Sequence, residues 1–521
     1  MAPSPLFILI LSLSISSISL SRASIHTYDH EVLIDVGNSF LLAAGSEGIV
    51  ASRFSSNSNL DEESVARSSL HDGHSFIRFQ NISFWRSKEA AELHKAKENS
   101  SGLVQVLVFE AADRDSIGGS AYGGQRSICC TPDLAKLEGC KQGKIIRLRA
   151  SKDDKWPVVL DVHFRGNSLS SEMDDTVIDI IKTGMYNLFF ITCNPELKGL
   201  TVNGRTLWKN PDGFLPGRMA PLMKFYVFMS VAYILLSFIW FIQYVRFWKD
   251  VLLLQHCITI LIALGWFEMI LWYFEYANFN SIGVRPVAIT TWVVTIGAVR
   301  RTLSRLLILT VSMGYGVVRP TLGGLTSKVL LLGVTYFLAT ELLHITEFVG
   351  TINDISGRAR LLLVLPDVFL DTFIILWIFT SLSRTLEQLQ AKRSSVKLEI
   401  YRKFANALGI SVIASVAWTS YEIYFKATDP FNERWQSAWI ITAFWDILAF
   451  TLLCVICYLW APSHSSQRYA YADGLGDSDD EETQSLTRGQ SGGSVGMVEL
   501  EREHHRVGSD DSCDSDGNKG E

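Results

Sequence analysis

The chain has 521 residues, 48% of them hydrophobic, a mean hydropathy of +0.20, and 47 Lys+Arg against 53 Asp+Glu for a net charge of −6. A positive mean at an ordinary apolar content requires the apolar residues to be concentrated, and several stretches after Pro221 approach the ~20 residues that cross a bilayer. These features exclude an ordinary soluble enzyme and a basic nucleic-acid binder, so no nucleic-acid partner is expected.

Residues 1–23 read as a signal peptide: the apolar run that starts at Pro5 and Leu6 continues to Leu20, and Ser21-Arg22-Ala23 sets small residues at the −3 and −1 positions of a cleavage site. Residues 24–217 are then expected in the lumen. Asn81-Ile82-Ser83 and Asn99-Ser100-Ser101 are glycosylation sequons, which have meaning only in that compartment. Cys129, Cys130, Cys140 and Cys193 suggest two disulfides in an oxidising environment. Adjacent cysteines seldom bond each other, so one of Cys129 and Cys130 goes to Cys140 and the other to Cys193, with the choice open. Short β-branched or aromatic segments near 31–42, 74–84, 103–110, 144–149, 157–164 and 185–192, separated by Gly, Ser, Asn and Asp, point to a β-sandwich, with one helix over 87–99.

Residues 218–461 read as a bundle of seven spans, near 221–245, 251–276, 285–317, 327–350, 360–384, 401–425 and 435–460. With the first entering from the lumen, the tail is cytosolic. Ten basic residues on the predicted cytosolic side, among them Arg246, Lys249, Arg319, Lys397 and Lys403, against five on the other agree with that orientation. Glu268, Arg300, Arg301, Arg305, Glu341, His344, Asp367, Asp371, Glu422 and Asp446 lie at membrane depth and must face inward, paired or hydrated. The third span, 33 residues or roughly 50 Å of helix, must tilt or project. Arg301 and Arg305 share a helical face, and Glu268 and Asp446 are their expected partners. Pairing that fixes helix register is the favoured reading; a hydrated cavity that binds a lipid headgroup or passes an ion is the sharper one.

Three motifs fail on context. Gly474-Leu475-Gly476-Asp477 lies in a hydrophilic tail, Cys454 and Cys457 lie inside an apolar span, and Glu341, His344 and Glu347 lack a matching Glu-x-x-His on a second helix. Neither a catalytic constellation nor a metal site is expected. Residues 462–521 carry 14 acids against 5 bases and almost no aromatics, the composition of a disordered acidic tail. Within it, Ser478 followed by Asp479-Asp480-Glu481-Glu482 is a candidate phosphorylation site.

Gly184-Met185-Tyr186-Asn187-Leu188-Phe189-Phe190, leading through Cys193 to Trp208-Lys209-Asn210-Pro211-Asp212-Gly213-Phe214-Leu215-Pro216-Gly217, resembles the membrane-proximal end of the lumenal domain in Golgi-dynamics-domain seven-transmembrane proteins, also called lung seven-transmembrane receptors. Arg301-Thr302-Leu303-Ser304-Arg305-Leu306-Leu307, Ser312-Met313-Gly314-Tyr315-Gly316, Trp248-Lys249-Asp250, Glu433-Arg434-Trp435 and Gln467-Arg468-Tyr469-Ala470 are similar to the transmembrane protein 87 branch of that family. The resemblance covers roughly residues 180–483. It implies a Golgi-dynamics-like β-sandwich on a seven-helix bundle similar to a G-protein-coupled receptor, a Golgi location, and a non-enzymatic role in endosome-to-Golgi retrograde and secretory traffic. Membrane lipids, including a bound phospholipid, and trafficking machinery or cargo proteins are the implied partners. The alternatives are a ligand sensor with a cytosolic effector at the basic loop 384–403, or a Golgi cation channel. Gly314-Tyr315-Gly316 stands where a receptor's acidic-Arg-Tyr triplet would, and no Asn-Pro-x-x-Tyr closes the seventh span.

Overall fold

The computed structural model describes residues 24–52, 73–96, 102–119, 127–136, 140–147, 156–315, 325–348, 357–391, 395–429 and 432–462. Residues 1–23, the sequon at Asn99, Ser478 and the acidic tail lie outside the described residues. The amino-terminal part is built from β1 (Ile25–Val32), β2 (Ile34–Asp35), β3 (Phe40–Ile49), β4 (Phe76–Trp85), β5 (Leu103–Glu110), β6 (Val158–His163), β7 (Ser170–Glu172), β8 (Val177–Asp179), β9 (Gly184–Thr192) and β10 (Thr201–Lys209). Two antiparallel sheets form, one in the order β1-β10-β4-β7 with β8 also on β4, the other β2-β3-β9-β5-β6. Alternation sends Ile77, Phe79, Val202 and Trp208 of the first sheet inward against Val104, Val106, Val108, Leu188 and Phe190 of the second, so one core fills the space between them.

Several segments differ from the sequence expectation, which included none of β7, β8 and β10. The stretch 31–42 is the end of β1, the short β2 and the start of β3, broken where Gly37 takes φ +88. Among the described residues of 144–149, those up to 147, single bridges form through Ile145 and Arg147. β10 was not anticipated, because Asn203, Gly204 and Arg205 interrupt its apolar pattern. They form a bulge on β4 instead: Gly204 has φ +129, and a Cβ there would stand 2.5 Å from the Asn81 carbonyl oxygen. The helix at 87–99 is observed as Lys88–Ala96.

The disulfides are Cys129–Cys193 and Cys130–Cys140, which resolves the open choice. They join residues 64 and 10 positions apart, so by the chain-entropy relation the first contributes roughly 4 kcal/mol and the second roughly 3. Cys193→Ser is therefore expected to lower the melting temperature of the purified protein more than Cys140→Ser does. Equal shifts would show that the longer loop is already constrained in the unfolded chain.

Seven long helices follow among the described residues: Ala220–Arg246, Leu253–Ile282, Val287–Ser312, Leu325–Phe348, Gly357–Ala391, Ser395–Thr428 and Trp439–Leu459, here called first to seventh. Six are long and apolar enough to cross a membrane; the third misses that mark because it carries Arg300, Arg301 and Arg305. The third is also shorter than the sequence suggested. It has 26 residues, about 39 Å, since Pro286 opens it and Gly314, at φ +86, turns the chain away after Met313. The fifth and sixth run longer than expected, so most of the basic 384–403 segment is helix rather than loop.

The sandwich is seated on the bundle. Ile25 N–H donates to the Gly283 carbonyl (3.3 Å) at the end of the second helix. Asn280 on that helix accepts from Leu215 N–H (3.1 Å) and donates to the Asp212 carbonyl (2.8 Å). Trp435, just before the seventh helix, is buried with Ala111 and Met185 of the sandwich. Its ring lies so close to Gly48 and Gly217 that a Cβ at either would come within 2.6 Å of it.

Candidate functional site

The charged side chains of the third helix organise the bundle interior. At 100° per residue, Arg300 points away from Arg301, whereas Arg301 and Arg305 are only about 40° apart. Arg300 accordingly faces the second and seventh helices. Its Nε donates to Glu268, and its Nη2 lies 3.9 Å from Asp446 Oδ1. Arg300 and Glu268 are both buried, and Asp446 is partly so. Gly297, one turn earlier, gives Glu268 its room: a Cβ there would sit 2.8 Å from Glu268 Oε1. Gly265 likewise admits the Tyr233 ring of the first helix, which a Cβ would meet at 2.4 Å.

The expected pairing of Arg301 and Arg305 with Glu268 and Asp446 is corrected by this geometry. Arg301 donates from Nη1 to His344 Nε2 of the fourth helix, and Arg305 Nη2 donates to Asp371 Oδ2 of the fifth at 3.2 Å. A one-residue offset on a helix is enough to exchange partners. Gly297 lies about 60° from Arg300 and about 40° from Arg301, so in the sequence it does not tell the two arginines apart.

The third helix makes further polar contacts along its length. Near the sandwich, Arg285 Nε lies 2.8 Å from Glu275 Oε1, which also accepts from Thr290 Oγ1 at 3.1 Å. Thr295 Oγ1 donates to Glu341 Oε1 at 2.6 Å, and beyond the third helix Thr340 Oγ1 of the fourth donates to Asp367 Oδ1 of the fifth at 2.8 Å. At the far end, Thr385 and the Tyr401 hydroxyl donate to the carbonyls of Ser312 and Val311. Arginines 285, 300, 301 and 305 thus each have a named partner on a neighbouring segment. The carboxylate partners of Arg285, Arg300 and Arg305 neutralise charge at depth, and all four contacts tie neighbouring segments together. Cys454 and Cys457 are free thiols packed in the seventh helix. Of the sequons, Asn81 is described, and it is exposed at the β4 bulge with φ +51.

A family model described as GOST, seven transmembrane domain, matches residues 221–467. Transmembrane protein 87A of Xenopus tropicalis is 32% identical over 361 residues, covering 68% of this chain and 64% of the relative. Transmembrane protein 87B of Mus musculus is 34% identical over 322 residues, 60% of this chain and 57% of the relative. Membrane protein PTM1 of Saccharomyces cerevisiae is 23% identical over 320 residues, 58% and 59%. The chain thus matches somewhat less than two thirds of the length of each of these relatives. A β-domain followed by seven long helices, and these likenesses together, make the chain a multi-pass membrane protein of the GOST seven-transmembrane family, in its transmembrane protein 87 branch.

Proposed function

We propose that the protein acts in Golgi membrane traffic, in endosome-to-Golgi retrograde and secretory transport, with the sandwich as the lumenal part that reads cargo. The observation that carries this reading is the seating of the sandwich on the bundle through Asn280 and Trp435. A folded module joined in this way to a membrane-spanning one suits an adaptor, which must pass a lumenal event to the other side. The arginine pairs favour the adaptor over the channel, because they fill the bundle interior with fixed contacts between helices. Deleting the protein should mis-sort Golgi residents, while the purified protein in liposomes should pass no current. Correct sorting in the deletion strain, or a current in liposomes holding the protein that protein-free liposomes lack, would overturn the reading.

The same reading places the sandwich in the lumen and the tail in the cytosol. Asn81 is then accessible to the glycosylation machinery, and Asn81→Gln should remove a glycan-dependent step in gel mobility. In sealed vesicles, protease should digest the tail and spare the sandwich. The opposite digestion pattern would reverse the orientation.

A further inference from the structure

The outer face of the second sheet holds a pocket of about 320 Å³, at the lower end of the size range of small-molecule sites. Its floor is Leu41 of β3, Leu107 and Phe109 of β5, and Phe189 and Ile191 of β9. Ile117 and Ile128, from the β5–β6 connection, complete its apolar wall. These side chains belong to an apolar cluster separate from the core between the sheets, and the Cys129–Cys193 disulfide is packed into it behind Ile128 and Ile191. The outer surface of a sandwich sheet is ordinarily polar and solvated, so this lining requires an explanation.

The polarity of the pocket runs along the strands. Leu41 pairs with Ile191, and farther along the same strands Ser46 pairs with Asn187, which is opposite Phe109. Ser46 Oγ donates to Asn187 Oδ1 at 2.7 Å. Asn432, from the connection that enters the seventh helix, and Arg114 border the pocket as well. β3 reaches the bundle through Gly48 and Trp435, so the Ser46 end faces the membrane part and the Leu41 end lies some five residues, roughly 16 Å, farther away. The apolar end is the one backed by the disulfide, and polar groups gather at the end nearest the membrane.

We propose that this pocket binds the single acyl chain of a membrane-derived amphiphile, a free fatty acid or a lysophospholipid, with the chain lying along β3 and β9 and the head beside Ser46, Asn187 and Asn432. The apolar body fits a hydrocarbon chain, the polar end fits a small head, and the position against the seventh-helix connection puts the mouth next to the bilayer that supplies the ligand. This site is distinct from the charged interior of the bundle.

The test uses the full chain in phosphatidylcholine nanodiscs, with a diazirine-bearing palmitic acid and a diazirine-bearing lysophosphatidylcholine as probes. Photolabelling is expected on the β5 and β9 peptides that contain Phe109 and Phe189, and it is expected to fall at least about fivefold in Ser46→Trp and Leu41→Trp, which fill the pocket. Val177→Trp, on the other sheet, should label like the unmodified protein. Labelling by one probe alone assigns the ligand to that source. Labels confined to the bundle helices, or unchanged in both filling variants, would overturn the proposal. Competition by unlabelled fatty acids of increasing length, read on the unmodified protein, is independent of whether those variants fold. Partition into the bilayer strengthens without limit, roughly fourfold per methylene, whereas a pocket of fixed length gives an optimum and then a fall. A steady rise with no optimum would also overturn it.

Discussion

Arg300→Ala is expected to be among the most damaging single changes in the bundle, costing about 3–5 kcal/mol because the buried Glu268 and the partly buried Asp446 are left with their arginine gone. Thermal unfolding in detergent, followed by loss of the monodisperse peak on size exclusion, measures it. Arg305→Ala should also destabilise, because it leaves Asp371 of the fifth helix without its arginine at membrane depth. Lys403→Ala, which breaks an exposed i,i+4 pair with Glu399, should be close to neutral. The sign of a combined change is more telling. Arg300→Met with Glu268→Met and Asp446→Leu removes every charge of the cluster and restores apolar volume, so it should recover much of the stability lost in Arg300→Ala. A triple variant as unstable as the single one would mean that the charges have a task beyond neutralising one another. An Arg300→Ala protein as stable as the parent would mean that water already solvates this part of the interior.

The distribution of what was legible in the sequence follows from the physics of each element. The spans were readable because a run of apolar residues reports its own burial, and the third was marked by three arginines that lipid would not tolerate. Its end was misjudged because Val311 to Val318 stays apolar while Gly314 turns the backbone, and hydropathy does not register φ. That Arg300 takes Glu268 depends on how the third helix is rotated against its neighbours, which no local pattern encodes. In the sandwich, β4, β5 and β9 announced themselves by composition, but β10 depends on a bulge in which Gly204 and Asn81 fit each other across strands. The cysteines were countable, while the choice between Cys129 and Cys130 rests on where β9 ends relative to the β5–β6 connection. The hardest feature to read was the seam between sandwich and bundle. Gly48, Gly217 and Trp435 are hundreds of residues apart in sequence, and each alone reads as an ordinary glycine or an interfacial tryptophan.

Trp435→Ala is the second change with a large expected effect, about 3–5 kcal/mol, the usual range for removing a buried tryptophan. Its cost should fall on the seam rather than on either part. The sandwich keeps its core and disulfides, the bundle keeps its ion pairs, and the joint loses the ring that fills the space among Ala111, Met185, Gly48 and Gly217. Calorimetry should therefore show the transition broadening or dividing as the two parts unfold separately. Two glycine variants test the geometry. Gly48→Ala places a methyl group 2.6 Å from the indole, an overpacking that commonly costs about 1–3 kcal/mol, and in a Trp435→Ala background that clash is gone. The double variant should be more stable than the sum of the two losses predicts. Gly217→Ala should respond differently, because its methyl group would also stand 2.7 Å from the Gly48 carbonyl oxygen, an obstacle that removing the tryptophan does not relieve. Strong coupling of Trp435 to Gly48 together with weaker coupling to Gly217 is the result that this packing requires. Additive losses at both glycines would mean that the sandwich does not rest on Trp435 in the membrane.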